Sequence, residues 1–391
     1  MKACISAAVA AACLVISAHP AASEILAMLN YETKPDDQLR SLKLSGDAPR
    51  REAIAIVNVD PESPGFGTTL AEIPLDPATV AHHIFYDRSM TKAYVAALAQ
   101  PALQVLDMTQ NPYRLRTIDT PGCMMGEDVI FDEANETWYL TCMASGNVIV
   151  GSVATDEVTG VIDLPGTNPH GLAVHTGIDR ILATSTITPD LQKPGETVSV
   201  VRASTLELLG EIKMSDAPSP SGVAPVEILF APGSETPTAI VTNMFGHSLW
   251  ALVWDAATEN FSPQQVFDFQ TVGAGVPLEI YFNDAGDRMY VTTAAPGHLH
   301  IFDISRGVLT PSVLHSVPTA GGAHHVGFTK DFKLGFVQNS FLNLPDMSDG
   351  SVSVVDLETG ALVASMDALK EAGYNPNSMV LLPEWNAFAG H

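Results

Sequence analysis

His83-Ile84-Phe85-Tyr86-Asp87, Asp128-Val129-Ile130-Phe131-Asp132, His170-Gly171-Leu172-Ala173-Val174, Glu227-Ile228-Leu229-Phe230-Ala231, Glu279-Ile280-Tyr281-Phe282-Asn283 and His325-Val326-Gly327-Phe328-Thr329 repeat one pattern along the chain. A polar or charged residue, repeatedly His or Glu, precedes a short apolar run and a turn. Self-similarity at such a period marks an array of like units, each one supersecondary element long. After each opening run comes a second β-rich run, such as Lys92-Ala93-Tyr94-Val95-Ala96, Thr137-Trp138-Tyr139-Leu140-Thr141 or Arg288-Met289-Tyr290-Val291-Thr292. In four units a third run ends in two apolar residues and Asp: Val105-Leu106-Asp107, Val253-Trp254-Asp255, Ile301-Phe302-Asp303 and Val354-Val355-Asp356. A fourth run, for example Leu208-Leu209-Gly210-Glu211-Ile212, completes the unit.

Four short antiparallel strands every 40 to 55 residues or so, with almost no helical periodicity, predict an all-β fold built of propeller blades. The blades begin near Ala81, Gly122, Thr167, Ala217, Val272 and Gly322. Two pieces remain, an amino-terminal strand at Ala53-Ile54-Ala55-Ile56-Val57 and a carboxy-terminal one at Ser378-Met379-Val380-Leu381-Leu382. Joined, they predict a seventh blade closed by both ends of the chain, which hides the edges an open array would expose. A solenoid of stacked β units is the structural alternative, and the absence of capping segments argues against it.

Residues 1–23 carry Lys2, an Ala/Val/Leu/Ile run and the small-residue site Ala21-Ala22-Ser23, the pattern of a secretory signal peptide. The rest, 24–391, reads as one propeller domain, exported to the periplasm or secreted. No later segment approaches the roughly 18 to 20 unbroken apolar residues that span a bilayer, so membrane insertion is not expected. Loss of the leader removes one Lys and no acid, taking the formal charge from −25 to −26. Such a surface repels nucleic acid and anionic membranes, and it suits a basic electron-transfer partner. Of four cysteines, Cys123 and Cys142 remain after the leader; in an oxidising compartment a disulfide is the default expectation. The alternative is soft-metal handling with the neighbouring Met124, Met125 and Met143.

Propeller topology places the start of each innermost strand and the loop between second and third strands on one face. The opening residues His82, His83, Glu127, Asp128, His170, Glu227, Glu279, His324 and His325 are therefore expected around one channel mouth, with Met379 in the closing blade. His247 and His298, near the starts of third strands, are expected on the same face. Imidazoles in this number favour copper or zinc, and admixture of carboxylates leaves iron or manganese open. The bland reading is a polar channel mouth whose side chains bond only water and strand amides. His175, His300 and His315 read as structural. There is no Gly-Xaa-Ser-Xaa-Gly elbow, phosphate loop or Cys-Xaa-Xaa-Cys-His, which weakens serine-hydrolase, nucleotide and cytochrome readings.

His82-His83, Phe245-Gly246-His247-Ser248-Leu249 leading to Val253-Trp254-Asp255, Val276-Pro277-Leu278-Glu279-Ile280-Tyr281-Phe282, Gly297-His298-Leu299-His300-Ile301-Phe302-Asp303-Ile304-Ser305 and Gly350-Ser351-Val352 resemble segments of the selenium-binding protein family, which includes methanethiol oxidases. The resemblance is intermittent, over about residues 80 to 360. It implies a seven-bladed propeller with a histidine-built copper site that oxidises a small thiol with O2 to an aldehyde, sulfide and peroxide. Residue by residue it supports His82, His83, His247 and His298; His170, His324 and His325 rest on the blade register. The family's Cys-containing motif after the His pair is replaced by Ile84-Phe85-Tyr86-Asp87-Arg88, so selenium binding is not expected.

The leading expectation is a copper-dependent oxidoreductase acting on a small sulfur compound, with Glu227 or Glu279 as proton acceptor. The alternatives are a non-enzymatic binding platform or copper carrier, with metal but no turnover or with no metal at all, and a Ca2+-dependent lactonase or esterase in which Glu227, Glu279 and Asp128 matter more than the histidines; zinc is the alternative metal to copper.

Overall fold

A computed structural model describes residues 24–34, 51–215 and 222–390. Seven four-stranded antiparallel sheets make seven propeller blades. Six follow in chain order, with innermost strands Ala81–Tyr86, Gly126–Phe131, Pro169–His175, Pro225–Phe230, Pro277–Phe282 and Ala323–Phe328. The signal-peptide reading of residues 1–23 and the expected blade start near Ala217 lie outside the described residues. Among the described residues no helix is long and apolar enough to cross a membrane.

The closing blade differs from expectation in its make-up. The amino-terminal segment supplies three strands, Leu26–Thr33, Glu52–Asn58 and Thr69–Leu75, and the carboxy-terminal segment supplies the innermost one, Tyr374–Leu381. Leu26–Thr33 bridges the two ends, pairing Leu29 with Met379 on one side and Ala55 on the other. Its mixed sequence LAMLNYET hides it among loop residues, yet six of its eight positions are buried. Met379 consequently packs in the core with Leu29 and Leu381 and is no mouth residue.

Burial follows position within a blade. Inner strands are buried on both faces because neighbouring blades cover them; Phe85, Tyr94 and Leu103 of the first blade pack on Phe131, Trp138 and Ile149 of the second. Outermost strands such as Arg114–Asp119 are largely exposed and read as alternating polar sequence. The chain end crosses the mouth opposite the histidines. There Phe388 packs on Tyr281 and Phe328, and Gly390 N–H donates to the Tyr86 carbonyl at 2.9 Å.

Candidate metal centre

Every innermost strand of the six sequential blades carries a bulge at the channel mouth. Its ladder with the second strand breaks between Ala81 and Ile84, Gly126 and Val129, Pro169 and Leu172, Pro225 and Ile228, Pro277 and Ile280, and Ala323 and Val326. The skipped pairs are His82-His83, Glu127-Asp128, His170-Gly171, Val226-Glu227, Leu278-Glu279 and His324-His325. A bulge re-aims side chains, and here it releases the repeated polar residues from the sheet toward the axis.

Side chains take over the backbone bonds that the bulges forgo. Thr141 Oγ1 accepts from the Asp128 N–H at 3.0 Å and donates to the His170 carbonyl of the next blade at 2.6 Å. Thr184 joins Gly171 to Val226, and Thr242 joins Glu227 to Leu278, in the same manner. Gln338 serves His325 and Pro376, and Asn30 donates to the His82 carbonyl at 2.9 Å. The threonine that ends so many second strands is thus a strut between blades.

Five of the seven predicted histidine ligands converge. His83 lies at the centre: its ring centroid is 4.0 Å from His82, 4.5 Å from His325, 5.6 Å from His324 and 5.7 Å from His170. Donor atoms of His83, His324 and His325 all fall within 4.8 Å of one another, as do those of His82, His83 and Glu127. Glu127 Oε2 is 3.2 Å from His82 Nε2 and 3.7 Å from His170 Nε2. Glu279 does the same across the channel, 3.2 Å from His324 Nε2 and 3.8 Å from His325 Nδ1. Two buried carboxylates are each placed between two imidazoles, the arrangement by which outer carboxylates fix ring orientation and tautomer around a metal.

His83 is 1% exposed, and neither of its ring nitrogens has a hydrogen-bond partner. An unpaired buried imidazole costs of order 1–3 kcal/mol, and native structures rarely leave one without a ligand to explain it. Burial, reinforced by His82, His325, His324 and His170, holds His83 well below the usual histidine range. Burial also lowers His170, against the opposing pull of Glu127 and Glu279. Neutral imidazole is the form that ligates a metal. Burial, and then the Glu279 charge, push the Glu227 carboxyl well above the usual range. Glu227 is thereby biased toward holding a proton while Glu279 is engaged by two imidazoles. Both carboxylates that the sequence offers as proton acceptors, Glu227 and Glu279, thus lie buried at the mouth.

His247 and His298 do not join the cluster. His247 Nδ1 accepts the Val276 N–H at 3.2 Å, while the His298 ring stacks on His300 and has its Nδ1 3.1 Å from the Pro296 carbonyl. Third strands stand two strand spacings, about 10 Å, outside the innermost strands, which keeps these rings from the axis. His300 is structural as expected, held between Thr293 and Ser316. Glu127 has no assigned role in the sequence pattern beyond its place at the mouth; its register with His82 and His324, one residue before Asp128, is the signal that points to it. Cys123 and Cys142 form a disulfide, so neither offers a thiolate.

Gly171 has a specific reason to be glycine. A Cβ there would come 2.4 Å from the Val226 carbonyl oxygen, 2.9 Å from Glu227 Cα and 3.1 Å from Glu227 Oε1. The strand carrying Glu227 occupies that space. Gly171→Ala is expected to cost roughly 1–3 kcal/mol by overpacking, read as a lower urea midpoint at unchanged slope; an unaltered midpoint would show that the strand yields freely.

Above the cluster an apolar vestibule opens, floored by His82, Glu127 and His170 and walled by Leu98, Ile187, Phe245, Phe341 and the methionines 125, 143, 244 and 347. Among the described residues lining it there is no Lys or Arg.

No family model and no curated protein matches the chain. Solved structures do. A hypothetical selenium-binding protein from Sulfolobus tokodaii superposes with a TM-score of 0.74 over 94% of this chain and 95% of that one, at 12% identity. A Bacteroides fragilis protein assigned by name as a 6-phosphogluconolactonase gives 0.61 over 92% and 98%, at 13% identity. Kuenenia stuttgartiensis hydrazine synthase gives 0.57 over 78% and 90%, at 12% identity. Likeness at these identities establishes shared architecture and leaves chemistry to the site. The chain is a seven-bladed propeller with a distant structural resemblance to a selenium-binding protein.

Proposed function

We propose that the protein is an exported copper-binding oxidoreductase acting on a small sulfur compound. The observation that carries this reading is His83, buried with both ring nitrogens unpartnered at the centre of five converging imidazoles. The donor set fits copper: neutral nitrogen ligands predominate, as imidazole-preferring metals require. His83, His324 and His325 would hold the ion as one triad, and His82, His83 and Glu127 form a second grouping that shares His83. Copper, when bound, supplies one-electron exchange with O2 and affinity for a sulfur donor.

The protein's own part is positioning and water exclusion. Glu279 lies beside the rings of His324 and His325, and Glu127 beside those of His82 and His170, where each carboxylate would help set ring orientation. The vestibule admits an uncharged apolar molecule to that floor and strengthens polar interactions there by keeping water out. A phosphorylated lactone finds no cation in this wall, and Ca2+ calls for six to eight oxygen ligands where imidazoles dominate. The lactonase reading therefore has less support. The acidic surface, at net −26 once the leader with its one Lys is lost, suits a basic electron-transfer partner.

Elemental analysis of protein exported to a periplasm under copper-replete conditions tests the reading. Near-stoichiometric copper is expected, followed by thiol-dependent O2 consumption. Metal-free protein would leave the fold as a binding platform.

A further inference from the structure

Methionine is enriched in the vestibule lining. The chain holds 13 methionines in 391 residues, yet four of the 18 residues lining this one cavity are Met. They come from separate segments: Met125 precedes the second inner strand, Met143 follows the Cys142 strand end, Met244 lies in the fourth blade, and Met347 in the loop of the sixth. Met125 and Met143 are adjoining, the Met143 N–H donating to the Met125 carbonyl at 2.9 Å. Met143 and Met244 are buried, and the same cavity floor presents His82 and Glu127. A thioether is a soft, uncharged donor that binds Cu(I) and Ag(I) and ignores hard cations.

We infer that Met125, Met143, Met244 and Met347 form a Cu(I) capture site in the vestibule, from which the ion passes to the histidines below. This rests on the copper reading above for its destination, while the capture itself depends only on the thioethers. Leucine is close to methionine in volume, so Met→Leu changes preserve the packing and remove the sulfur.

The test follows methionine methyl resonances of the full chain, labelled with 13C at the methyl, during titration with Ag(I). The four vestibule methyls, assigned by single Met→Leu variants, are expected to shift in the wild type and equally in His83→Ala/His325→Ala. In stopped-flow transfer from a buffered Cu(I) chelate, the quadruple M125L/M143L/M244L/M347L protein is expected to load at least tenfold more slowly and to reach the same final copper content. Vestibule methyls that ignore Ag(I), or loading at the wild-type rate in the quadruple variant, would overturn the capture site. Shifting methyls in a protein whose histidines take up no copper would sink the copper centre and leave soft-metal capture standing.

Discussion

Replacing His83 and His325 together by Ala is expected to lower copper affinity at least a hundredfold while leaving the propeller folded. Each histidine belongs to the triad His83/His324/His325, and His83 is shared with the His82/His83/Glu127 grouping, so the double change cripples both. Loss of residues that merely orient a ligand already costs 10–100-fold in affinity, and loss of ligands costs more. The backbone has reason to survive. The His325 N–H is held by Gln338 Oε1 at 3.3 Å, and the His82 carbonyl accepts from Asn30 Nδ2 at 2.9 Å, neither bond using an imidazole. Removing His83 also removes two unpaired buried nitrogens, a change that offsets part of the cavity it leaves. Competition against a chelator of known affinity, with circular dichroism alongside, reads both halves. Wild-type copper content in a folded double variant would move the metal away from this channel.

The parts of this picture that were legible in sequence share a physical cause. Inner strands are covered on both faces, so their apolar runs stand out, and the polar residues before them recur because every blade repeats the same bulge. That periodicity was enough to bring His82, His83, His170, His324 and His325 to one mouth. It failed where geometry within a blade decides the outcome. His247 and His298 lie at the expected end of their strands, but the third strand stands away from the axis, and their rings find partners in Val276 and His300. Leu26–Thr33 escaped because Asn30 breaks its apolar run; that same Asn30 is the strut that holds the His82 carbonyl. Glu127 was visible only by alignment with His82, since nothing about a lone acid shows that two imidazoles will meet it. The vestibule is legible only in part: Met125 and Met143 stand beside the cysteines in sequence as soft donors, but no periodicity links them to Met244 or Met347.

Cys123→Ala/Cys142→Ala is expected to destabilise the protein by about 3 kcal/mol, the loop-closure estimate for a bridge between residues 19 apart. The bridge ties the turn before Gly126 to the end of the second strand, where Cys142 pairs with Gly126. A Cβ placed on Gly126 would come 3.7 Å from Cys123 Sγ, so the sulfur packs directly on the residue before Glu127. Around it, the Met143 and Ala144 N–H groups donate to the Met125 and Met124 carbonyls at 2.9 and 3.0 Å. The disulfide therefore clamps one wall of the vestibule and the strand that delivers Glu127 to His82 and His170. Since Glu127 supports the rings more than it replaces them, copper binding should weaken by less than in the histidine variant, while the urea midpoint falls clearly. Reduction of the wild type should reproduce the same loss. If the two sulfurs instead served as soft-metal donors, the variant would lose bound metal, and metal-free protein would unfold at the wild-type midpoint. The two accounts thus separate on a single pair of unfolding curves, measured with copper and after its removal.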